Sequence, residues 1–126
     1  MPNIRSFKEL KVWQRSMDAA LAMFELSKRF PDAEEYSFTD QIRRASQSVP
    51  SNISEAWRKR RYAATFVSKL NDSEGEAAET QTRLELGRRF GYVTPTDAAR
   101  LDQEYEEILA MLTNMASNPE QWTLRK

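Results

Sequence analysis

Apolar residues recur at steps of three and four residues through four long segments of this chain, and this spacing constrains the fold more than any other feature. Such spacing places the apolar side chains on one face of an α-helix. Phe30-Pro31, Gly91 and Asn118-Pro119 end segments, because the residue before a proline avoids the helical conformation and a glycine commonly ends a helix. The pattern predicts helices over residues of about 7–29, 38–60, 63–90 and 95–116, with a polar tail over residues 117–126.

Each predicted helix carries its own apolar stripe. In the first helix the stripe consists of Leu10, Trp13, Met17, Leu21 and Phe24, and we expect it to face the core. Long helices joined by short connections pack as antiparallel neighbours. The 126 residues are therefore predicted to form one domain, residues 1–126, with an all-α fold: an antiparallel up-down four-helix bundle.

The composition removes several kinds of functional site. The sequence has no histidine and no cysteine, which excludes an imidazole base, a thiolate nucleophile and a Cys/His zinc site. Its three glycines form no phosphate-binding loop. We therefore expect a non-enzymatic protein without a metal or cofactor. The lack of cysteine fits the reducing cytoplasm, and no signal peptide or membrane-spanning apolar run is visible, so we expect a cytoplasmic protein that makes no membrane contact.

Charge is balanced over the whole chain but divided between its halves. The sequence has 19 Lys and Arg against 19 Asp and Glu. Residues 1–61 hold 12 basic against 8 acidic residues, whereas residues 62–126 hold 7 against 11. The sequence therefore does not support a uniformly basic nucleic-acid binder, but it does predict a polarised surface.

The second predicted helix contains a proline, Pro50, near its middle. A proline inside a helix deprives one carbonyl of its N–H donor. Either the helix continues with a bend, in which Ser48, Ser51 or Asn52 serves the freed carbonyl, or it breaks and restarts with Asn52 as its cap. Both alternatives predict a bent element that fits against a neighbouring subunit, so Pro50 is a candidate interface residue.

The same helix ends in the densest run of positive charge in the chain: Arg58, Lys59, Arg60 and Arg61. Cations at a helix C-terminus interact with the negative end of the dipole, by about 0.3–1 kcal/mol each. One or two cations suffice for that purpose, and the surplus favours phosphate binding. These four residues are the first candidates for a nucleic-acid contact.

Four further residues of this segment are candidate functional residues. Arg43 and Arg44 either pair with Asp40 at helical spacing or contact phosphate or a second subunit. Trp57 adjoins the basic run and is predicted to be a subunit-interface anchor, with base stacking as the alternative. Tyr62, directly after the run, is a further interface candidate.

Several motifs resemble those of one bacterial family. They are FKELKVWQ at residues 7–14, Phe30-Pro31, QIRRA at residues 41–45, SVPSNISE at residues 48–55 and EAWRKRRY at residues 55–62. The chain resembles, over about residues 6–115, the four-helix-bundle proteins first noticed in intervening sequences of 23S rRNA genes. It is also similar to the accessory variability determinants of diversity-generating retroelements. The resemblance implies a bundle that assembles as a ring-like homopentamer. For some members it implies a basic surface that binds structured nucleic acid or partners a reverse transcriptase.

Two hypotheses of function remain. The first is an oligomeric bundle that binds structured RNA or DNA through the run at residues 58–61, with Arg43 and Arg44 as additional contacts. The second is a protein-interaction scaffold without a nucleic-acid ligand, which the net charge of zero favours.

Overall fold

Four long α-helices make up most of the protein, which we describe over residues 3–124 from a computed structural model. They are α1 (Lys11–Ser27), α2 (Phe38–Arg58), α3 (Ala63–Arg89) and α4 (Pro95–Ser117). Short 3-10 helices over Phe7–Glu9, Asp32–Glu34 and Pro119–Gln121 precede α1, join α1 to α2 and follow α4. Residues 3–124 contain no strand, so the prediction of an all-α fold with four helices is confirmed.

Local capping decides where two of these elements begin. The hydroxyl of Thr94 accepts a hydrogen bond from the Asp97 backbone N–H at 3.1 Å, and Pro95 occupies the first turn of α4. Ser6 and Glu9 form the expected capping box, but it caps the 3-10 helix. Leu10 is then extended, so α1 begins at residue 11 and not at residue 7.

The helices pack in sequence order around one cluster of buried apolar side chains. α2 packs against α1 and α3, α3 packs against α4, and α4 returns to α1. Met23, Val49, Phe66, Leu84 and Ile108 are among the fully buried members. No helix within residues 3–124 combines the length and the apolar character that crossing a membrane would require.

The prediction for the apolar stripe of the first helix is only partly right: Leu10 is buried in the core, but Met17, Leu21 and Phe24 are not. Met17, Leu21 and Phe24 are 44%, 61% and 36% exposed, and Trp13 is only partly buried. The buried face of α1 is rotated from this stripe, and it carries Val12, Ser16, Ala19, Ala20, Met23 and Leu26. Small residues on that face let α1 approach its neighbours closely. The three large apolar side chains of the stripe are left on the surface of the protomer.

Of the two alternatives predicted for Pro50, the continuous helix is right and the break is wrong, because α2 runs through the proline. Asn52 donates to the Ser48 carbonyl at 3.0 Å and Ser54 donates to the Pro50 carbonyl at 3.0 Å. Neither bond reaches the carbonyl of Ser46, which is the one that the proline deprives of its donor. Pro50 is itself buried in the protomer, which corrects the expectation that it meets another subunit.

A buried serine of α3 donates a hydrogen bond to α2 at the residue before Pro50. The hydroxyl of Ser73 donates to the Val49 carbonyl at 2.8 Å. Ser73→Ala is expected to lower the free energy of unfolding by about 1 kcal/mol, because a buried hydrogen bond is lost. Urea unfolding measures the change, and Ser68→Ala on the exposed side of α3 is the control, with an expected change within about 0.5 kcal/mol. Equal effects of the two substitutions would contradict this role.

Candidate nucleic-acid interface

The four basic residues at positions 58–61 form the tight connection between α2 and α3, which we call the basic turn. The helix α2 ends at Arg58 and Lys59 is its C-cap, so the helix is two residues shorter than predicted. The Lys59 backbone N–H still donates to the Glu55 and Ala56 carbonyls. The backbone of the basic turn thus caps the end of α2, while most side chains of the basic turn remain exposed to solvent.

Three side chains of the basic turn have no acidic partner. Arg58, Lys59 and Arg61 are exposed, and within residues 3–124 no carboxylate lies within 4.0 Å of their charged groups. Like charges held close together repel each other, and only solvent screens them here. The basic turn is therefore an uncompensated positive surface.

Arg60 differs from its three neighbours because it packs against the protein. Its guanidinium lies over the ring of Trp57, with the central carbon 3.8 Å from the ring centroid. Its Nη1 donates to the Trp57 carbonyl at 2.8 Å, while its buried Nε has no partner in the described part of the chain. Burial, and then the charge of Arg58, lower the pKa of Arg60. Arg60 thus contributes positive charge from a fixed position.

Trp57, on whose ring the Arg60 guanidinium lies, is inside the protomer. It is 2% exposed and belongs to the core. A side chain this buried cannot stack on a base or insert into another subunit, which corrects both predictions for Trp57. Tyr62 is 58% exposed at the start of α3, so it is the one predicted interface residue beside the basic turn that a partner can reach.

The start of α3 adds positive potential at the same place. No acidic residue lies in its first turn, and no side chain caps it. The N-terminus of a helix carries the positive end of the dipole and free N–H groups. An open cavity of about 530 Å³ lies here, lined by the basic turn and by Tyr62, Thr65 and Leu124.

Three cations that sequence reasoning did not select reach this end of the bundle. Arg5, Lys8 and Lys11 lie at or just before the start of α1, which is antiparallel to α2 and beside its end. The indole N–H of Trp13 fixes this contact, since it donates to the Ser54 hydroxyl at 3.0 Å. The predicted antiparallel packing of the first two helices could have identified these residues, because it places the start of α1 beside the end of α2. We call the basic turn together with Arg5, Lys8 and Lys11 the basic end.

Comparison with known proteins identifies the family. Residues 8–114 match the family model of the 23S rRNA-intervening sequence proteins. The chain belongs to this family. It is also similar to the crystal structure of a protein of unknown function from the S23 ribosomal protein family of Bacteroides thetaiotaomicron, with 30% sequence identity and a TM-score of 0.77, over 83% of this chain and 97% of that one. None of the curated proteins compared with the chain matches it.

The motifs quoted from the sequence thus led to the right family of 23S rRNA-intervening sequence proteins. The further similarity to retroelement accessory proteins stays a prediction. The family match ends before the C-terminal tail. In this family member Trp122 packs against the protomer's own core, and the Leu124 backbone N–H donates to the Arg60 carbonyl at 3.2 Å. The tail therefore forms one wall of the cavity at the basic turn.

Arg43 and Arg44 are not brought to the basic end. Fourteen residues of helix separate Arg44 from Arg58, which is roughly 20 Å along α2. Arg44 pairs with Asp40 at 2.8 Å, as one of the alternatives predicted. Arg43 donates to the Ser27 hydroxyl at 2.7 Å, and its guanidinium lies 4.7 Å from the centroid of the Phe24 ring. Arg43 therefore lies against α1, whereas the ion pair of Arg44 stays within α2.

The other basic pair, Arg88 and Arg89 at the far end of α3, shares the single carboxylate of Glu85. The hydrogen bonds that Arg88 and Arg89 donate lower the pKa of the Glu85 carboxyl from 4.5 to about 2. This carboxyl therefore contributes stability above pH 4.5 that is lost as the pH falls towards 2. Melting temperatures of Glu85→Gln are expected to fall less than those of the wild type over this interval. Parallel curves for the two proteins would contradict the role of Glu85.

Proposed function

We propose that this protein is a non-enzymatic binder of structured nucleic acid and that its basic end contacts the phosphates. One observation carries the proposal. Of the 17 lysines and arginines within residues 3–124, nine pair with a carboxylate and eight do not. One of the eight is Arg43, and the other seven make up the basic end: Arg5, Lys8, Lys11, Arg58, Lys59, Arg60 and Arg61.

The distribution of these cations favours a polyanion over a single small anion. They lie at the start of α1 and at the end of α2, and axes of packed helices are about 8–10 Å apart. Glu9 lies beside Arg5 and Lys8, and its carboxylate accepts from the backbone N–H groups of Arg5 and Ser6 at 3.1 and 2.9 Å. A surface of this width, with few competing acids, suits several phosphates of a folded RNA or DNA.

Assembly would multiply this surface. The family resemblance supports a ring-like homopentamer, and the exposed apolar residues of α1 support self-association. In a closed ring every protomer presents the same end, so the basic end would repeat around the axis. The similarity to retroelement accessory proteins supports a reverse transcriptase as a further partner. Solution mass by light scattering tests the assembly, with five times the chain mass of 14.7 kDa as the expected result.

Binding is tested by fluorescence anisotropy with a labelled RNA hairpin and a labelled DNA duplex at low salt. We expect saturable binding of at least one of them by the wild-type protein. Absence of binding to both at micromolar protein and low salt would overturn the proposal. Unlabelled nucleic acid of the same sequence should compete, which separates binding from an effect of the dye.

The second candidate function is a protein-interaction scaffold without a nucleic-acid ligand, and the net charge of zero favours it. Affinity purification from cells, with and without nuclease, distinguishes the two functions. A protein partner that is retained after nuclease treatment, without bound nucleic acid beforehand, would support the scaffold. Nucleic acid that co-purifies with the wild type and is lost when the basic turn is neutralised would support the first function.

A further inference from the structure

A small polar cavity lies at the end of the bundle that is opposite the basic end, where the chain passes from α1 to α2. Its volume is about 230 Å³, and its lining includes Ser27, Lys28, Asp32, Glu35, Thr39 and Arg43. The helix α1 ends at Ser27 and α2 begins at Phe38, so two helix ends and the connection between them form this cavity. We call it the α1–α2 cavity.

Arg43 lines the α1–α2 cavity from a fixed position. Its Nε donates to the Ser27 hydroxyl at 2.7 Å, and its guanidinium lies 4.7 Å from the centroid of the Phe24 ring. These contacts hold the guanidinium in place but occupy only one of its five N–H donors. Within residues 3–124 no carboxylate lies within 4.0 Å of its charged group. The two Nη atoms can therefore donate parallel hydrogen bonds to the carboxylate of a ligand.

A buried hydroxyl on the same face of α2 lacks a hydrogen-bond partner. Thr39 is 4% exposed, and its Oγ1 has no partner within residues 3–124. Most buried polar side-chain atoms are hydrogen-bonded, so this hydroxyl is a donor that a ligand in the cavity can use. Thr39 precedes Arg43 by four residues, which places the two side chains one above the other. It also lies in the first turn of α2, where the positive end of the helix dipole favours a negative group.

Two unpaired carboxylates line the same cavity. Asp32 and Glu35 are exposed, and neither has a cationic group within 4.0 Å in the described part of the chain. Lys28, the other cation of the lining, pairs with Glu25 at 3.2 Å. Unpaired groups of both signs thus surround one small cavity without forming ion pairs with each other. A ligand that carries both charges would satisfy them together, whereas a simple anion would be repelled by the two carboxylates.

We propose that the α1–α2 cavity binds a small zwitterion of the α-amino acid class. The carboxylate of the ligand accepts hydrogen bonds from Arg43 and Thr39, and its ammonium group donates to Asp32 or Glu35. Pockets for drug-sized ligands measure roughly 300–1,000 Å³, so this smaller cavity favours an amino acid with a short side chain. The site goes beyond the proposed function, because it lies at the other end of the bundle and requires neither nucleic acid nor assembly.

Isothermal titration calorimetry of the wild type with glycine, L-alanine and L-serine tests the site. At least one of these amino acids is expected to bind with a dissociation constant of about 1 mM or below. Acetate and ethylammonium each carry only one of the two charges and are expected to bind at least about tenfold more weakly. Absence of binding of all three amino acids at millimolar concentration would overturn the proposal. Acetate that binds as tightly as the amino acids would also overturn it, because the site would then accept any simple anion.

Substitutions then locate the bound amino acid. Arg43→Gln removes the guanidinium, and the double variant Asp32→Asn/Glu35→Gln removes both carboxylates. Each is expected to weaken binding at least about tenfold, because a charge-assisted hydrogen bond is lost. Arg44→Gln is the matched control and should bind within about threefold of the wild type, because Arg44 pairs with Asp40 and does not line the cavity.

Binding that survives both Arg43→Gln and the double variant would place the amino acid elsewhere and would overturn the α1–α2 cavity as its site. Circular dichroism verifies that each variant is folded. The double variant changes only exposed side chains, so it still decides the question if Arg43→Gln does not fold. Thr39→Val, which removes the hydroxyl and keeps the shape of the side chain, is expected to weaken binding about threefold or more.

Discussion

Alanine at Arg58, Lys59 and Arg61 together is expected to weaken the binding of structured RNA at least about 100-fold at roughly 0.1 M salt. Each phosphate contact releases condensed counterions, which at this salt concentration is worth roughly tenfold in affinity. The three side chains are exposed and have no carboxylate partner within residues 3–124, so nothing in the protomer offsets their loss. Anisotropy titrations of the variant and the wild type measure the ratio.

The matched control removes the same number of positive charges at the other end of the bundle. Arg88, Arg89 and Arg100 pair with Glu85 and Asp97. Their triple alanine variant is expected to bind RNA within about threefold of the wild type, because paired and distant charges add little local potential. An equal loss in both variants would show a general effect of net charge and would contradict a local site.

Trp57→Ala is expected to lower the free energy of unfolding by about 3–5 kcal/mol. The indole is buried in the core of the protomer, so its removal leaves a cavity. It also removes the surface on which the Arg60 guanidinium lies. Urea unfolding at a fixed protein concentration measures the change. Trp57→Phe refills most of the space and is therefore expected to lower the free energy of unfolding clearly less than Trp57→Ala does.

The neighbouring aromatic residue supplies the contrast. Tyr62 is 58% exposed, and Tyr62→Ala is expected to change the free energy of unfolding by no more than about 0.5 kcal/mol. If Trp57→Ala instead left the protomer stable and only dissociated an oligomer, Trp57 would be the interface anchor that the sequence suggested.

The spacing of apolar residues was sufficient to predict the four helices and much of the core. In α4 the apolar residues at steps of three and four, Ala98, Leu101, Tyr105, Ile108, Leu112 and Met115, are all buried, and Thr94-Pro95 is a sequence typical of a helix start. The stripe of α1 was ambiguous, because the helix has one row of large apolar residues and another row of small ones. Periodicity alone favoured the large residues, whereas close packing of helices selected the small ones.

The sequence was sufficient to predict that the candidate site is positively charged, but not which residues form it. The density of cations at residues 58–61 identified the basic turn from the sequence. The burial of Trp57, the fixed position of Arg60 and the approach of Lys11 all depend on which helices become neighbours. The separation of Arg44 from Arg58, by contrast, follows from the length of the predicted helix alone.

The salt dependence of RNA binding tests the central claim, phosphate contact through the basic end, most directly. The logarithm of the wild-type association constant, plotted against the logarithm of salt concentration, should have a slope of about −3 or steeper. Alanine at Arg58, Lys59 and Arg61 should reduce the steepness of that slope by about 2–3, because three phosphate contacts are lost. A slope that is the same in both proteins, or wild-type binding that does not respond to salt, would contradict the account.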